Sequence, residues 1–289
     1  SQPMGFYSVA QIVTDARNHG VEVRPVCVNR SRWDCTMEET GRPGRFAVRL
    51  GMRIVKGLPL NNAARIVLAR VDQPFESADD MWRRSGVPTA SLVKLAEADA
   101  FLPSLKLERR QALWDIKALR DEPLELWAAA AKREARVVAE MQEPDVSLKS
   151  MKEGREVVED YSHTGLSLRS HPVSFLRPEL KKKRIVTCAE AMGERDGRWL
   201  WTAGLVLVRQ KPGSAKGVMF LTLEDETGVV NAVVWPSLFE KQRRIVMSAS
   251  MMAIHGRIQR EGEVVHLVAQ RLFDFSGDLS SLGELGGDF

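Results

Sequence analysis

The stretch MFLTLEDETGVVNAVVW, Met219 to Trp235, sets three adjacent carboxylates, Glu224, Asp225 and Glu226, between two apolar runs. Carboxylates so placed could be metal ligands, acid/base groups or the polar turn of a hairpin. The flanks choose among these. Met219, Leu221 and Leu223 share one face of an extended strand, with Val218, Phe220 and Thr222 on the other, and the alternation stops at Leu223. The carboxylates are therefore expected in the turn, where Asp225 and Gly228 suit a tight connection. A metal site, an acid/base centre or a nuclease would need further His, Asp or Glu converging from other segments. No such partners are evident in the sequence, so no catalytic residue and no metal ligand is assigned.

Working outward, the hairpin is one of five strand-like runs: RWLWTAGLVLVR, GVMFLTL, VVNAVVW, ASMMAIHGRIQ and EVVHLVAQRLF. A short helix, SLFEKQRR, falls between the third and fourth. That element order is the order of an OB-fold barrel, expected over residues 185–275. The Gly-, Ser- and acid-rich residues 276–289 are expected to form a flexible tail.

Upstream the period is helical. Phe46–Lys56 and Asn62–Arg70 flank GLPLN, and SADDMWRRSG, TASLVKLAEADAF and ERRQALWDIKALR each carry a cap or a bounding Gly or Pro. Short helices joined by brief turns predict stacked helical hairpins over residues 46–123. Residues 124–184 read as a helical connector, Ala- and Glu-rich in its first part and broken near Pro144. Before all this, a helix over Ser8–His19, a strand in VEVRPVCV and a loop around Trp33 form a piece too small to enclose its own core. The predicted fold is multidomain α+β, a helical-hairpin module followed by a five-stranded barrel.

Composition narrows the function classes. No apolar run approaches the ~20 residues of a membrane span, so a cytoplasmic setting is expected. Cys27, Cys35 and Cys188 are too dispersed for a zinc site or a disulfide framework. A net charge of +4 permits a polyanion partner without requiring one.

Two segments suggest nucleic acid. Lys211 and Lys216 flank a Gly-containing loop of the barrel, Arg257 stands near the end of its fourth strand, and Phe220 lies on its second. OB-folds stack bases on such rings while basic groups track the phosphates, so these residues are candidates for single-strand contact. Trp199 and Trp201 are assigned to core packing instead. In VKGLPLNNAARI a Gly-centred turn separates two short helices, which would aim backbone N–H groups at a phosphate. Lys56, Gly57, Asn61 and Asn62 are the candidates for duplex contact, against the reading of an ordinary helical corner. The KKKR run at Lys181–Arg184 is read as solvated, His163 and His171 as structural, and QRLFDF, Gln270–Phe275, as a final strand better than as a clamp-binding peptide.

A larger pattern then emerges. QPMGFYSVAQIVTDARNHGVEVRPVCVNRSRWDCTMEE, RLGMRIVKGL, LAEADAFLPSLKLERRQALWDIKAL, GLSLRSHPVSFLRPEL, PGSAKGVMFLTLEDETGVVNAVVWP and GRIQREGEVVHLVAQRLFD together resemble the carboxy-terminal part of bacterial C-family DNA polymerases, the error-prone branch above all. The resemblance runs from Gln2 to about Asp274. It implies that residues 1–45 end the fingers region, 46–123 form a tandem helix-hairpin-helix module on duplex DNA, and 185–275 form an OB domain near the template strand. It also implies that the palm aspartates holding catalytic Mg2+ lie upstream of this segment, so that no cofactor is expected here. The error-prone branch serves damage-induced mutagenesis and translesion synthesis, with accessory proteins that recruit the sliding clamp indirectly. A stand-alone DNA-binding or polymerase-accessory protein without catalysis is the competing expectation.

Overall fold

A computed structural model describes residues 9–119, 148–213 and 217–284. The chain divides into two compact units, one comprising residues up to Met151 together with Glu159–Leu168, the other Lys152–Val158 and everything from Arg169.

The first unit begins with α1 (Val9–Asn18), β1 (Glu22–Arg24), β2 (Thr36–Glu39) and β3 (Phe46–Arg49). The strands form one sheet in the order β1-β3-β2, with β3 parallel to β1 and antiparallel to β2. A helix was expected over Phe46–Lys56; the chain instead forms β3 and then a single 3-10 turn at Met52–Ile54. The reason is the sheet. Ala47 and Arg49 turn inward, and Arg49 pairs with Glu38 on β2, which a helix would forbid. The expected boundary after residue 45 consequently runs through this sheet, cutting β3 from β1 and β2.

Helices α2 (Leu60–Ala69), α3 (Ala78–Ser85), α4 (Thr89–Glu97), α5 (Leu102–Leu105) and α6 (Arg109–Ala118) follow. One core joins Val26, Val28 and Leu50 to Ile66, Met81, Leu92, Leu95 and Phe101, so the small amino-terminal piece shares the helices' core. Helix α7 (Glu153–His163) leads from one unit into the other. Residues 120–147, the end of the expected hairpin module and the first part of the predicted connector, lie outside the described residues.

The second unit contains α8 (Pro172–Lys182), α9 (Cys188–Gly193) and a closed barrel of β4 (Trp199–Gln210), β5 (Met219–Asp225), β6 (Gly228–Val234), β7 (Met251–Glu261) and β8 (Val264–Asp274), in the order β4-β5-β6-β8-β7. Where one short helix was expected between β6 and β7 there are two, α10 (Pro236–Lys241) and α11 (Arg243–Ser248). Leu200, Leu221, Leu223, Val230, Ile254, Leu267 and Leu272 fill the interior. Gln270–Asp274 are part of β8, so QRLFDF is barrel.

Two expectations fail here. Of the expected tail, Ser276–Glu284 form helix α12, because Leu279 and Leu282 pack with Val173, Leu176 and Leu180 of α8 over Ala203, Met251 and Ala253; residues 285–289 lie outside the described residues. Trp199 is exposed on the outer face and Trp201 packs outside the barrel, against the α8 cluster, since Leu200 and Thr202 on either side of Trp201 take the inward positions.

Candidate nucleic-acid interface

The turn at Lys56–Pro59 recurs. Gly57-Leu58-Pro59 before α2 matches Gly86-Val87-Pro88 before α4, and the correspondence continues through Ala63 and Leu92 to Ile66 and Leu95. Each glycine has a left-handed backbone, φ +78° at Gly57 and +58° at Gly86, which a side chain resists. Leu58, Val87, Ala63, Leu92, Ile66 and Leu95 are buried, so both turns are anchored by the same positions. Each proline then serves as an N-cap, and neither helix has a side-chain cap.

The two turns meet reciprocally. Asn62 Nδ2 donates to Ser91 Oγ at 2.8 Å, and these are equivalent positions of the repeat. Arg65 donates to the Gly86 carbonyl, while its counterpart Lys94 lays its methylenes against Gly57. Helices α2 and α4 thus present their first turns side by side. The Asn62 amide is taken by Asn61 Oδ1 and the Ser91 amide by the Pro88 carbonyl, which leaves the first two amides of each helix start without an intrahelical partner; with about half a positive charge at each start, the two suit successive phosphates of one backbone. The second turn was not singled out in the sequence, although a repeated Gly-x-Pro ahead of a helix was its signal.

Of the four duplex candidates, Gly57 and Asn61 are at this surface. Asn61 is exposed at the start of α2, its Oδ1 accepting from the Asn62 amide. Asn62 joins the two hairpins, as above. Lys56 is engaged within the chain. Its Nζ donates to the carbonyls of Tyr161 at 3.0 Å and Ser162 at 2.8 Å, and its amide to that of His163. The ammonium is therefore committed to the carboxyl end of α7, where it meets the negative pole of the helix.

On the barrel, Phe220 and Arg257 project from the outer surface and belong to one lateral row. The register runs Phe220, Val233, Val268, Arg257 and Trp199 across β5, β6, β8, β7 and β4. Lys211 is nearer the β5 end, with its Nζ 4.5 Å from the Phe239 ring centroid. Lys216 lies outside the described residues. Lys181 and Lys182 end α8, and Lys183 Nζ sits 4.9 Å from the Phe275 ring centroid.

The carboxylate stretch is resolved by its hydrogen bonds. Alternation continues through Glu224 to Asp225, leaving Glu226 and Thr227 as the turn, so only one of the three carboxylates is in it. Asp225 is buried. Its Oδ2 accepts from Arg177 Nη2 at 2.7 Å and the Cys188 amide at 2.8 Å; Oδ1 accepts from the Thr227 amide, the Thr227 hydroxyl and the Gly228 amide. Glu226 takes the other edge of the Arg177 guanidinium. A carboxylate with its lone pairs so occupied has none left for an ion. Among the described residues no group of three or more His, Cys, Asp or Glu could hold a metal, so the Mg2+ of a polymerase centre finds no fit among them. Burial, then the Asp225 charge, pushes the Cys188 thiol far above its ordinary range, which makes it inert. His163 pairs with Glu97 and Glu159, and His171 caps α8 through the Val173 amide.

Paired helical hairpins and a five-stranded OB barrel define a nucleic-acid-binding class of protein. A family model described as a helix-hairpin-helix motif matches residues 20–112, and one described as an OB-fold nucleic acid binding domain matches residues 200–274. The first begins well before residue 46, in agreement with the shared core of sheet and helices. Among whole sequences, the chain is 71% identical over 289 residues to error-prone DNA polymerase 2 of Rhizobium meliloti, covering all of this chain and 27% of that protein. It is 72% identical over 284 residues to error-prone DNA polymerase 2 of Agrobacterium fabrum, covering 98% and 26%. It is 46% identical to the error-prone DNA polymerase of Ruegeria pomeroyi, covering 98% and 25%. Over essentially its whole length the chain is similar to error-prone DNA polymerases, and it spans about a quarter of the length of these relatives. Among the described residues no helix is long and apolar enough to cross a membrane.

Proposed function

We propose that this chain is the DNA-holding carboxy-terminal portion of an error-prone DNA-directed DNA polymerase acting in damage-induced mutagenesis and translesion synthesis. The hairpin module holds the duplex part of the primer-template by its backbone, and the barrel holds the single-stranded template. The observation that carries this reading is the pair of uncapped helix starts, α2 and α4, locked side by side by Asn62 and Ser91. Such a surface offers backbone donors to phosphates and reads no base, which suits an enzyme that must accept every sequence. Nucleotidyl transfer, with its Mg2+, belongs to a palm domain in the whole enzyme. Accessory proteins, and through them the sliding clamp, are its expected partners in the cytoplasm.

Titration of the chain with a labelled primer-template at several salt concentrations tests the reading. Binding should weaken as salt rises, with a slope of about 0.9 per phosphate contacted in duplex DNA. Absence of binding at low salt, or binding indifferent to salt, would overturn it.

A further inference from the structure

The outer face of β4, β7 and β8 carries a feature that the duplex-holding surface does not use. Trp199 pairs across the strands with Arg257, and Trp201 with His255 and, beyond it, Arg271. Trp201 stacks on His255 with centroids 4.6 Å apart, Trp199 leans on the same imidazole at 5.4 Å, and Phe273 closes on Trp201 at 5.3 Å. The rings make a continuous ladder. Burial, then the charge of Arg271, lowers the pKa of His255, which favours its neutral ring in the stack.

One end of the ladder is roofed and the other is open. Ala203 and Ala253, next along β4 and β7, are buried beneath α8 and α12, and Trp201 packs at the margin of that cover. Trp199 is 47% exposed and Phe273 45%, large areas for apolar rings on a folded surface. Arg257 and Arg271 are exposed beside them. In the rows Trp199–Arg257–Val268 and Trp201–His255–Arg271 no position holds a carboxylate. Open rings interleaved with unopposed guanidinium groups match a chain of bases and phosphates: the rings supply π-faces, and the arginines supply charge. A protein partner would be served by the rings but would have to bring its own carboxylates to both arginines.

We infer that this face is a single-stranded DNA track, with Trp199 as its base-stacking platform and Arg257 and Arg271 as its phosphate contacts. The lateral row from Phe220 through Val233 and Val268 to Arg257 joins it to the β5–β6 face, so one strand can pass around the barrel. The inference rests on the reading of the barrel as the template-holding domain and adds a second surface to it.

The test is fluorescence titration of the full chain with oligothymidylate, using Trp199→Ala, Trp199→Phe and the double variant Arg257→Gln/Arg271→Gln. Loss of a stacking platform should weaken binding about 5- to 100-fold in Trp199→Ala, and Trp199→Phe should restore most of it. The arginine variant should lower the salt slope by about 1.4, two single-strand phosphate contacts at about 0.7 each. Near-ultraviolet circular dichroism checks folding; were Trp199→Ala misfolded, the arginine variant decides alone. Unchanged affinity in folded Trp199→Ala, or an unchanged slope in the arginine variant, would overturn the inference and leave primer-template binding intact. A wild-type chain that binds neither oligothymidylate nor primer-template would sink the broader reading as well.

Discussion

Arg177 of α8 reaches Asp225 at the end of β5, Nη2 to Oδ2 at 2.7 Å, and ties the helix that precedes the barrel to the barrel's second strand. The carboxylate is fully buried and the guanidinium largely so. Removing one partner of such a pair leaves the other desolvated and unpaired, which costs about 3–5 kcal/mol. Asp225→Asn should therefore lower the unfolding midpoint of the barrel unit sharply, as read by calorimetry on the full chain. Glu226→Gln, at the exposed edge of the same guanidinium, should cost much less. Equal midpoints for Asp225→Asn and the parent chain would refute the account, as would Mg2+-dependent cleavage of DNA that vanishes with Asp225.

Lys56 gives a prediction of the opposite kind from the one its position in VKGLPLNN suggests. Two of its three ammonium donors are spent on the carbonyls at the end of α7. Lys56→Met should cost about 1 kcal/mol in urea unfolding, the worth of hydrogen bonds at a helix terminus. The salt slope of duplex binding should not move. A drop in that slope by about 0.9 would restore Lys56 to the phosphates.

Legibility in the sequence followed the strength of the periodic signal. The barrel was readable because alternation in VMFLTL and VVNAVVW names an inward face that the structure keeps. Where both faces are apolar the same rule fails: α8 and α12 cover part of the outer surface, so Trp199 and Trp201 look like core while Leu200 fills the interior. Alternation could not reveal that Asp225 continues the strand, because its burial depends on Arg177, far away in sequence. Phe46–Lys56 misled for a related reason, its sheet partners being supplied by β1 and β2. The paired turns were half legible. Gly57 was identified from its own neighbourhood, whereas Gly86 needed the comparison of one hairpin with the other.

That comparison yields a prediction at the glycines. Gly57 and Gly86 hold φ of +78° and +58°, so an alanine at either position strains the backbone and should cost about 1 kcal/mol or more. At Gly86 a Cβ would also stand 2.6 Å from Arg65 Nη2, displacing the side chain that links the hairpins. Gly86→Ala should thus weaken primer-template binding more than its loss of stability alone accounts for, compared at a temperature where both proteins are folded. Gly197→Ala, at φ +77° in the barrel unit, controls for backbone strain and should leave duplex binding unchanged. If all three variants bound duplex alike, the paired turns would not be the duplex surface.

Acid should weaken the amino-terminal sheet. The Arg49 guanidinium, aided by Arg24, holds the Glu38 carboxyl down from an ordinary 4.5 to about 2, against the opposing pull of burial. Glu38 accepts from Arg49 Nε at 3.0 Å and Nη2 at 2.9 Å and from Arg24 Nη1 at 2.8 Å, so one carboxylate joins all three strands. A carboxyl whose pKa falls on folding contributes its full stability above the unfolded value and loses it as pH drops through the folded value. Stability of the first unit should therefore decline between about pH 4.5 and pH 2, and Glu38→Gln should abolish that part of the slope while costing about 1.5–3 kcal/mol at neutral pH. Urea unfolding at stepped pH measures both. Parallel pH profiles for the variant and the parent chain would show that Glu38 is not the group that titrates.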